Sequence, residues 1–328
     1  MGPSPAVLAL AANALATRNR NRHAIVETPC LTSRDDRFAG SDLIFKCENF
    51  QTTGSFKLRG AISKLSTLPV TTPLITASSG NHGIACGHAA QILGHDLRVV
   101  LPETVAKAKL AQIERYGATP ILYAGDSGWA ERHARAVAAD KGYVYVSPYN
   151  DNAIMAGQGT IALELLEQVP RFDRVYVSMG GGGLISGIGS VLKTCAPEIE
   201  VVGVSAENSG ALAASLKAGH VVDTEHLPTL ADGCAGGMDH DSLTFPIARE
   251  VIDRVVQCSE EQIEDALRHL AWTENLLVEG AAALALAAYM SEPDLPKGQT
   301  NVVLLCGANF DRAALQPILA QDTSSSDP

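Results

Sequence analysis

The sequence contains cysteines but no cysteine pairs at disulfide or metal spacing. Its seven cysteines, Cys30, Cys47, Cys86, Cys195, Cys234, Cys258 and Cys306, are scattered singly, with no CxxC. A disulfide framework and a structural zinc site are therefore not expected, and a reducing cytoplasm fits. The nine histidines show no HExxH or comparable ligand spacing, so they point to no metal. An excess of positive charge is missing as well. The formal net charge is -11, and a nucleic-acid partner needs a basic face. No apolar run approaches the ~20 residues of a membrane span. The stretch VLALAANALA lacks a basic region before it, and Arg-rich TRNRNRH follows it. It reads as an amphipathic helix rather than a signal peptide. There is no internal repeat and no low-complexity linker.

What is present is ordinary globular composition: 328 residues, 46% hydrophobic and 19% charged. That length suits a large core and, as a prior, two domains. After about residue 40, short apolar runs alternate with helical patterns. The strand candidates are LIFKCE, PLITA, DLRVVLP, TPILYAG, YVYVSP, RVYVSMG, IEVVGVSAE, RVVQCS and NVVLLCGAN. Between them apolar residues recur at helical spacing, as in Leu58, Ala61, Ile62, Leu65 and Leu68. This alternation predicts an α/β fold with parallel sheets covered on both faces. Two sheets fit the strands better than one. The expected division places a small substrate-binding domain at 73–148, inserted in a large cofactor-binding domain made of 1–72 and 149–328. Ligands in such folds sit at the carboxyl ends of strands.

Three strand ends stand out. RVYVS runs through Met179 into Gly180, Gly181, Gly182 and Gly183, then into helical LISGIGSVL. Consecutive glycines are costly in chain entropy. They make sense where backbone must approach a ligand and aim several N–H groups at it. A strand, a glycine loop and a helix N-terminus form an anion site, most often for phosphate. GxGxxG fails, because residue 185 is Ile and residue 186 is Ser. The Walker pattern fails because Ile188 follows Gly187. A dinucleotide or nucleoside triphosphate is disfavoured, and a smaller phosphate ligand remains. A tight turn for close packing would need only one or two glycines.

At the second strand end, PLITA leads into Ser78, Ser79, Gly80, Asn81, His82 and Gly83. Serine and asparagine are ordinary N-caps. Capping does not require two serines, an asparagine and a histidine together. Their hydroxyls, amide and free N–H groups suit a carboxylate or a polar ring substituent. At the third, NVVLL runs into Cys306, Gly307, Ala308 and Asn309. A lone Cys there is by default an inert buried thiol. Glu279, in LLVEGAAALALAA, is either a packed polar residue or an acid behind the site. Lys57, in QTTGSFKLRGA, reads on its own as a solvated lysine in the first turn of a helix. A lysine, a phosphate cradle and a serine-rich helix start together suggest a cofactor carrying both a phosphate and an aldehyde.

From ETPCL at Glu27 to CGANFD at Asp311 the chain resembles the fold type II pyridoxal-phosphate enzymes. The likeness is to their serine/threonine dehydratase (ammonia-lyase) and serine racemase group. SFKLRGA resembles the family's Schiff-base lysine segment, SSGNHG its substrate and ring-oxygen loop, and GGGGL its phosphate loop. GQGTIALELLEQ is similar to the helix after the small domain, and LADGCA and VEGAAA have counterparts. The resemblance implies a tryptophan synthase β-like fold of two open-sheet α/β domains, pyridoxal 5'-phosphate as cofactor, an amino-acid substrate and a homodimer. It implies β-elimination from a β-hydroxy amino acid such as L-threonine or L-serine, giving a 2-oxo acid and ammonia. Lys57 would anchor the cofactor and take the Cα proton, helped by burial that depresses its pKa. Phe56 would wall the ring and Asn81 would meet its hydroxyl. Gly180, Gly181, Gly182, Gly183 and Leu184 would donate N–H groups to the phosphate. Ser78, Ser79 and His82 would hold the substrate carboxylate, and Gly233 would lie near the substrate side chain. Glu279 would stand by the cofactor, and Cys306 would face the ring nitrogen. A Cys there does not hold a proton on that nitrogen as a carboxylate would, which favours β-elimination over transamination.

Several positions depart from the family pattern. Ser79 stands where many dehydratases have Ala, and a serine there can reprotonate the opposite face, as in the racemases. The racemases' divalent-cation loop is matched at Glu207 but meets Ala213 at its second acid, so no metal is expected. Ile84 replaces their usual Gln, and Trp129 lies near their substrate-contacting Arg. No C-terminal regulatory domain is expected. The alternative readings are a serine racemase and, from another class, a nucleotide-binding oxidoreductase or a phosphate-binding module. The failed GxGxxG counts against the oxidoreductase.

Overall fold

The computed structural model describes residues 2–38, 42–292 and 298–320. Its strands are β1 (Cys30–Thr32), β2 (Asp42–Cys47), β3 (Leu74–Ala77), β4 (Leu97–Pro102), β5 (Thr119–Tyr123), β6 (Val144–Tyr145), β7 (Arg174–Ser178), β8 (Glu200–Ala206), β9 (Arg254–Cys258) and β10 (Thr300–Leu305). They form a six-stranded sheet in the order β1-β2-β10-β7-β8-β9 and a four-stranded sheet in the order β5-β4-β3-β6. Among the described residues every pairing is parallel except β1 with β2. The two open α/β sheets expected from the sequence are present, and each run read as a strand forms one.

Two details differ from the sequence reading. YVYVSP contributes only the short β6. β1 was not read at all, because it is a three-residue, largely exposed edge strand with too little length to show a period. The legible strands are those covered on both faces, such as β10, whose residues from Asn301 to Leu305 are all buried.

Helices fill the gaps between and around the sheets. Helix Gly280–Met290 is buried from Gly280 through Tyr289 and packs against β7 and β10. Its alanines and Gly280 keep it thin, and a Cβ on Gly280 would overlap the Leu230 carbonyl. Helix Lys57–Leu65 buries Leu58, Ala61, Ile62 and Leu65 at three- and four-residue spacing. These share a cluster with Leu74, Ile84, Val99 and Leu101 of the four-stranded unit. Each buried leucine, isoleucine or valine among them contributes about 1.5–3 kcal/mol. The N-terminal helix Pro5–Asn21 is capped by Ser4 and buries Val7, Leu10, Ala11 and Ala14, the amphipathic pattern expected. No helix among the described residues is long and apolar enough to cross a membrane.

Strand order locates the site. In the larger sheet the chain steps outward from β7 to β9 and returns on the other side of β7 as β10. In the smaller it steps from β3 to β5 and returns on the other side of β3 as β6. Each reversal leaves a crevice at the carboxyl ends of the strands, where ligands bind in open α/β sheets. The glycine loop follows β7 and Cys306 follows β10. Ser78 to His82 follow β3, and Ser147 to Tyr149 follow β6. The features singled out in the sequence thus lie at the two reversal points.

Candidate active site

Lys57 is the first residue of its helix. The segment before it is stitched to the end of β10. Phe56 N–H donates to the Cys306 carbonyl at 3.0 Å, and Ala308 N–H donates to the Gly54 carbonyl at 2.8 Å. Ser55 forms an isolated bridge with Gly307. Gly54 supplies the left-handed turn, φ 76°, that this path needs. The partly buried Lys57 Nζ donates to the Pro148 carbonyl at 2.8 Å, at the end of β6. It also lies 5.1 Å from the centre of the Phe56 ring. Burial holds the Lys57 ammonium below the ordinary lysine value, against the opposite pull of Cys234, Cys86, Cys306 and Glu279. The helix N-terminus acts in the same sense as burial. The solvated surface lysine of the bare sequence is therefore not what the fold builds.

Beside it runs the glycine loop. Gly182 has φ 86° and caps helix Gly183–Cys195. A Cβ on Gly180 would come 2.7 Å from the Cys234 carbonyl oxygen, and one on Gly181 would come 2.5 Å from the Tyr149 ring. Close packing therefore demands glycine here as well. Among the described residues, none of the backbone N–H groups from Gly180 to Leu184 donates to a protein acceptor. These are the groups an anion would take at a helix N-terminus. Ser178 at the end of β7 and Ser55 beside Lys57 are buried, and neither hydroxyl oxygen has a hydrogen-bond partner. A phosphate on the glycine loop and a carbonyl at Lys57 find donors and a nucleophile in one crevice, so these residues fit a group carrying both.

The loop after β3 forms the opposite wall. Gly80 N–H donates to Ser78 Oγ at 3.2 Å, and nothing lies near a Cβ placed on Gly80. Ser78 and Ser79 are part-exposed. The His82 ring is turned into the protein. It is buried, with Nε2 3.0 Å from the Val146 carbonyl and Cys86 Sγ 3.5 Å away. Burial and then Lys57 push its pKa down to about 3. The imidazole is neutral and Nε2 donates to Val146.

Asn81 also has defined partners. Its Nδ2 donates to Glu279 Oε1 and Oε2 at 2.8 and 3.0 Å. Asn309 Nδ2 donates to Asn81 Oδ1 at 2.6 Å. Burial pushes the Glu279 carboxyl up to about 7; Asn81 opposes this and Asp232 adds to it. Gly233, in the turn Asp232–Cys234, lies over this carboxylate, with room for a Cβ only 3.7 Å from Oε1. Burial holds the Cys306 thiol well above the usual thiol range, so it is neutral. Leu184 is buried in the first turn of its helix.

Sequence reasoning missed Tyr149 and the role of Asn309. Tyr149 supports the glycine loop and accepts a hydrogen bond from Asp239 N–H at 2.8 Å. Nothing local in SPYND signals this, because the contact is made across the fold. Trp129 is half-exposed and stacks on the Arg132 guanidinium at 4.1 Å. The described residues contain no group of three or more His, Cys, Asp or Glu placed to hold a metal ion.

Known proteins resemble the chain in sequence and in fold. The chain is 38% identical to an L-threonine ammonia-lyase of Thermotoga maritima over 83% of its own length and 68% of that protein. The fold superposes on a threonine deaminase of Solanum lycopersicum with a TM-score of 0.90, 28% identity and coverage of 98% and 95% of the two chains. It superposes on maize serine racemase with a TM-score of 0.86, 30% identity and coverage of 93% and 95%. Residues 22–307 match the family described as pyridoxal-phosphate dependent enzymes, and the chain belongs to that family.

Proposed function

We propose that this protein is a pyridoxal-phosphate-dependent ammonia-lyase that converts a β-hydroxy amino acid, L-threonine or L-serine, to a 2-oxo acid and ammonia. The observation that carries the reading is the placement of Lys57. It is a desolvated lysine lying between a free glycine loop and a serine-rich helix start, at the two strand reversals. The likeness to the Thermotoga and tomato proteins supports the reaction class.

Pyridoxal phosphate, when bound, supplies an aldehyde for the amino group and a ring that draws electron density from the Cα–H bond. The residues do the rest. Lys57 Nζ would hold the cofactor and would take the Cα proton, a role that its depressed proton affinity suits. The N–H groups of Gly180, Gly181, Gly182, Gly183 and Leu184 hold the phosphate. Phe56 would wall the ring, Asn81 would meet its hydroxyl with Glu279 behind, and the neutral Cys306 thiol would face its nitrogen. Ser78, Ser79 and the backbone of His82 orient the substrate carboxylate, and Gly233 leaves space for the side chain. Residues 73–148 act as the substrate-binding domain against a cofactor-binding domain of 1–72 and 149–328, with helix Lys57–Leu65 packed between. A cytoplasmic homodimer completes the proposal, checked by cell fractionation and light scattering.

A second reading, racemisation, is favoured by the Ser79 hydroxyl and by the likeness to maize serine racemase. Incubation with L-threonine and L-serine separates the two. Accumulating 2-oxo acid with equimolar ammonia supports the lyase. D-amino acid with little oxo acid replaces it with the racemase.

A further inference from the structure

Asn309 lies just beyond β10, and its amide joins groups from distant parts of the chain. Its backbone N–H donates to Glu279 Oε2 at 3.2 Å. Its Nδ2 donates to the Thr53 carbonyl at 2.8 Å and to Asn81 Oδ1 at 2.6 Å. A main-chain carbonyl only accepts, so Thr53 settles which end of the Asn309 amide is nitrogen. With nitrogen there, the facing atom of Asn81 must be oxygen. Asn81 Nδ2 is then turned to Glu279 and donates to its two oxygens at 2.8 and 3.0 Å. The Asn81 amide is thus determined from both ends. Asn309 is itself held against Gly54, where a Cβ would come 2.9 Å from its Oδ1. Asn81 opens the helix after β3 of the smaller sheet, whereas Asn309 and Glu279 pack around the end of β10 in the larger. One side chain from the first unit is oriented by two from the second.

We propose that Asn309 is a positioning residue that fixes the amide of Asn81, and with it the face that Asn81 turns to the ring hydroxyl of bound pyridoxal phosphate. This rests on the cofactor reading given above. Asn309→Asp keeps the size and replaces a donor by an acceptor. Oxygen then faces both the Thr53 carbonyl and Asn81 Oδ1, and Asn81 turns over. Its own oxygen now points at Glu279, which also faces Asp232, Lys57, Cys234 and Cys306. With its donor gone and a second carboxylate nearby, Glu279 holds its proton to higher pH.

The test uses the full-length protein loaded with pyridoxal phosphate, as wild type, Asn309→Asp and Asn309→Ala. The cofactor dissociation constant and the visible-range band are recorded across neutral and alkaline pH, with Tm alongside. Both variants are expected to bind the cofactor about tenfold more weakly, the loss expected for a hydrogen bond to a charged or fully committed partner. In Asn309→Asp the pH midpoint of the band rises by about one unit; in Asn309→Ala, which adds no charge, it stays at the wild-type value. A purely structural role would lower Tm in both variants without moving the midpoint, and that outcome overturns the proposal. So does unchanged affinity in either folded variant, and Asn309→Ala alone decides the matter if Asn309→Asp does not fold. Failure of the wild type to bind pyridoxal phosphate would strike the cofactor reading instead.

Discussion

Glu279 is a carboxylic acid inside the site that the fold keeps protonated to unusually high pH. Burial raises its pKa from 4.5 to about 7. The folded protein therefore holds this proton more tightly than the unfolded chain. The stability that follows is fully present below pH 4.5 and is lost as pH rises through about 7. Its size is about 3 kcal/mol, at ~1.4 kcal/mol per pH unit. Glu279→Gln mimics the protonated acid at every pH. In urea unfolding of the cofactor-free protein at stepped pH, the wild type should lose about 3 kcal/mol relative to this variant across that window. A difference that stays constant with pH would mean that Glu279 is ionised throughout. His82 follows the reverse rule: its depressed pKa contributes stability above the ordinary histidine value, lost as pH falls toward about 3.

The helix that carries Lys57 is anchored by charge as well as by packing. Arg59 is fully buried and donates to Glu48 at 2.7 Å and to Glu164 at 2.6 Å. Lys46, equally buried, donates to the other oxygen of Glu164 at 2.6 Å and to the Thr28 carbonyl at 2.7 Å. Two cations and two carboxylates balance, so no net charge is left in the core. Burial would raise the Glu164 carboxyl, but Arg59 and Lys46 outweigh it and hold it below the usual range. Its contribution is therefore present above the ordinary glutamate value and is lost on acidification. A buried pair is poor evidence of stability compared with apolar packing, yet removing one partner is severe. Glu164→Ala leaves two buried cations against one buried carboxylate, that of Glu48, which of the two only Arg59 contacts. Denaturant unfolding at neutral pH should show a loss of about 3–5 kcal/mol. A loss under ~1 kcal/mol would show that water or a neighbouring group replaces the carboxylate. The glycine loop is held differently, by shape. Gly180→Ala sets a Cβ against the Cys234 backbone, and an expected loss of about 1–3 kcal/mol should be accompanied by weaker cofactor binding.

At the scale of the whole molecule, two sheets reverse their strand order at one shared crevice. Much of this was legible in the sequence. Strands covered on both faces read as continuous apolar runs, and the loops that carry chemistry stood out as glycines and serines at their carboxyl ends. β1 was invisible because three exposed edge residues carry no pattern. The bond from the His82 ring to Val146 was not legible, because residue type signals polarity and not the direction of a side chain. Asn309 and Tyr149 went unassigned because their partners lie far away in sequence. Lys57 is the clearest case: its local sequence fits a surface helix, and only the assembled crevice desolvates it. The most direct test is therefore the absorbance spectrum of the purified protein beside Lys57→Ala, followed by addition of L-threonine and assay of 2-oxo acid. A visible-range band that the variant lacks, with oxo acid formed by the wild type alone, is the predicted result. No such band in the wild type, even after adding pyridoxal phosphate, would contradict the assignment of Lys57 and of the site built around it.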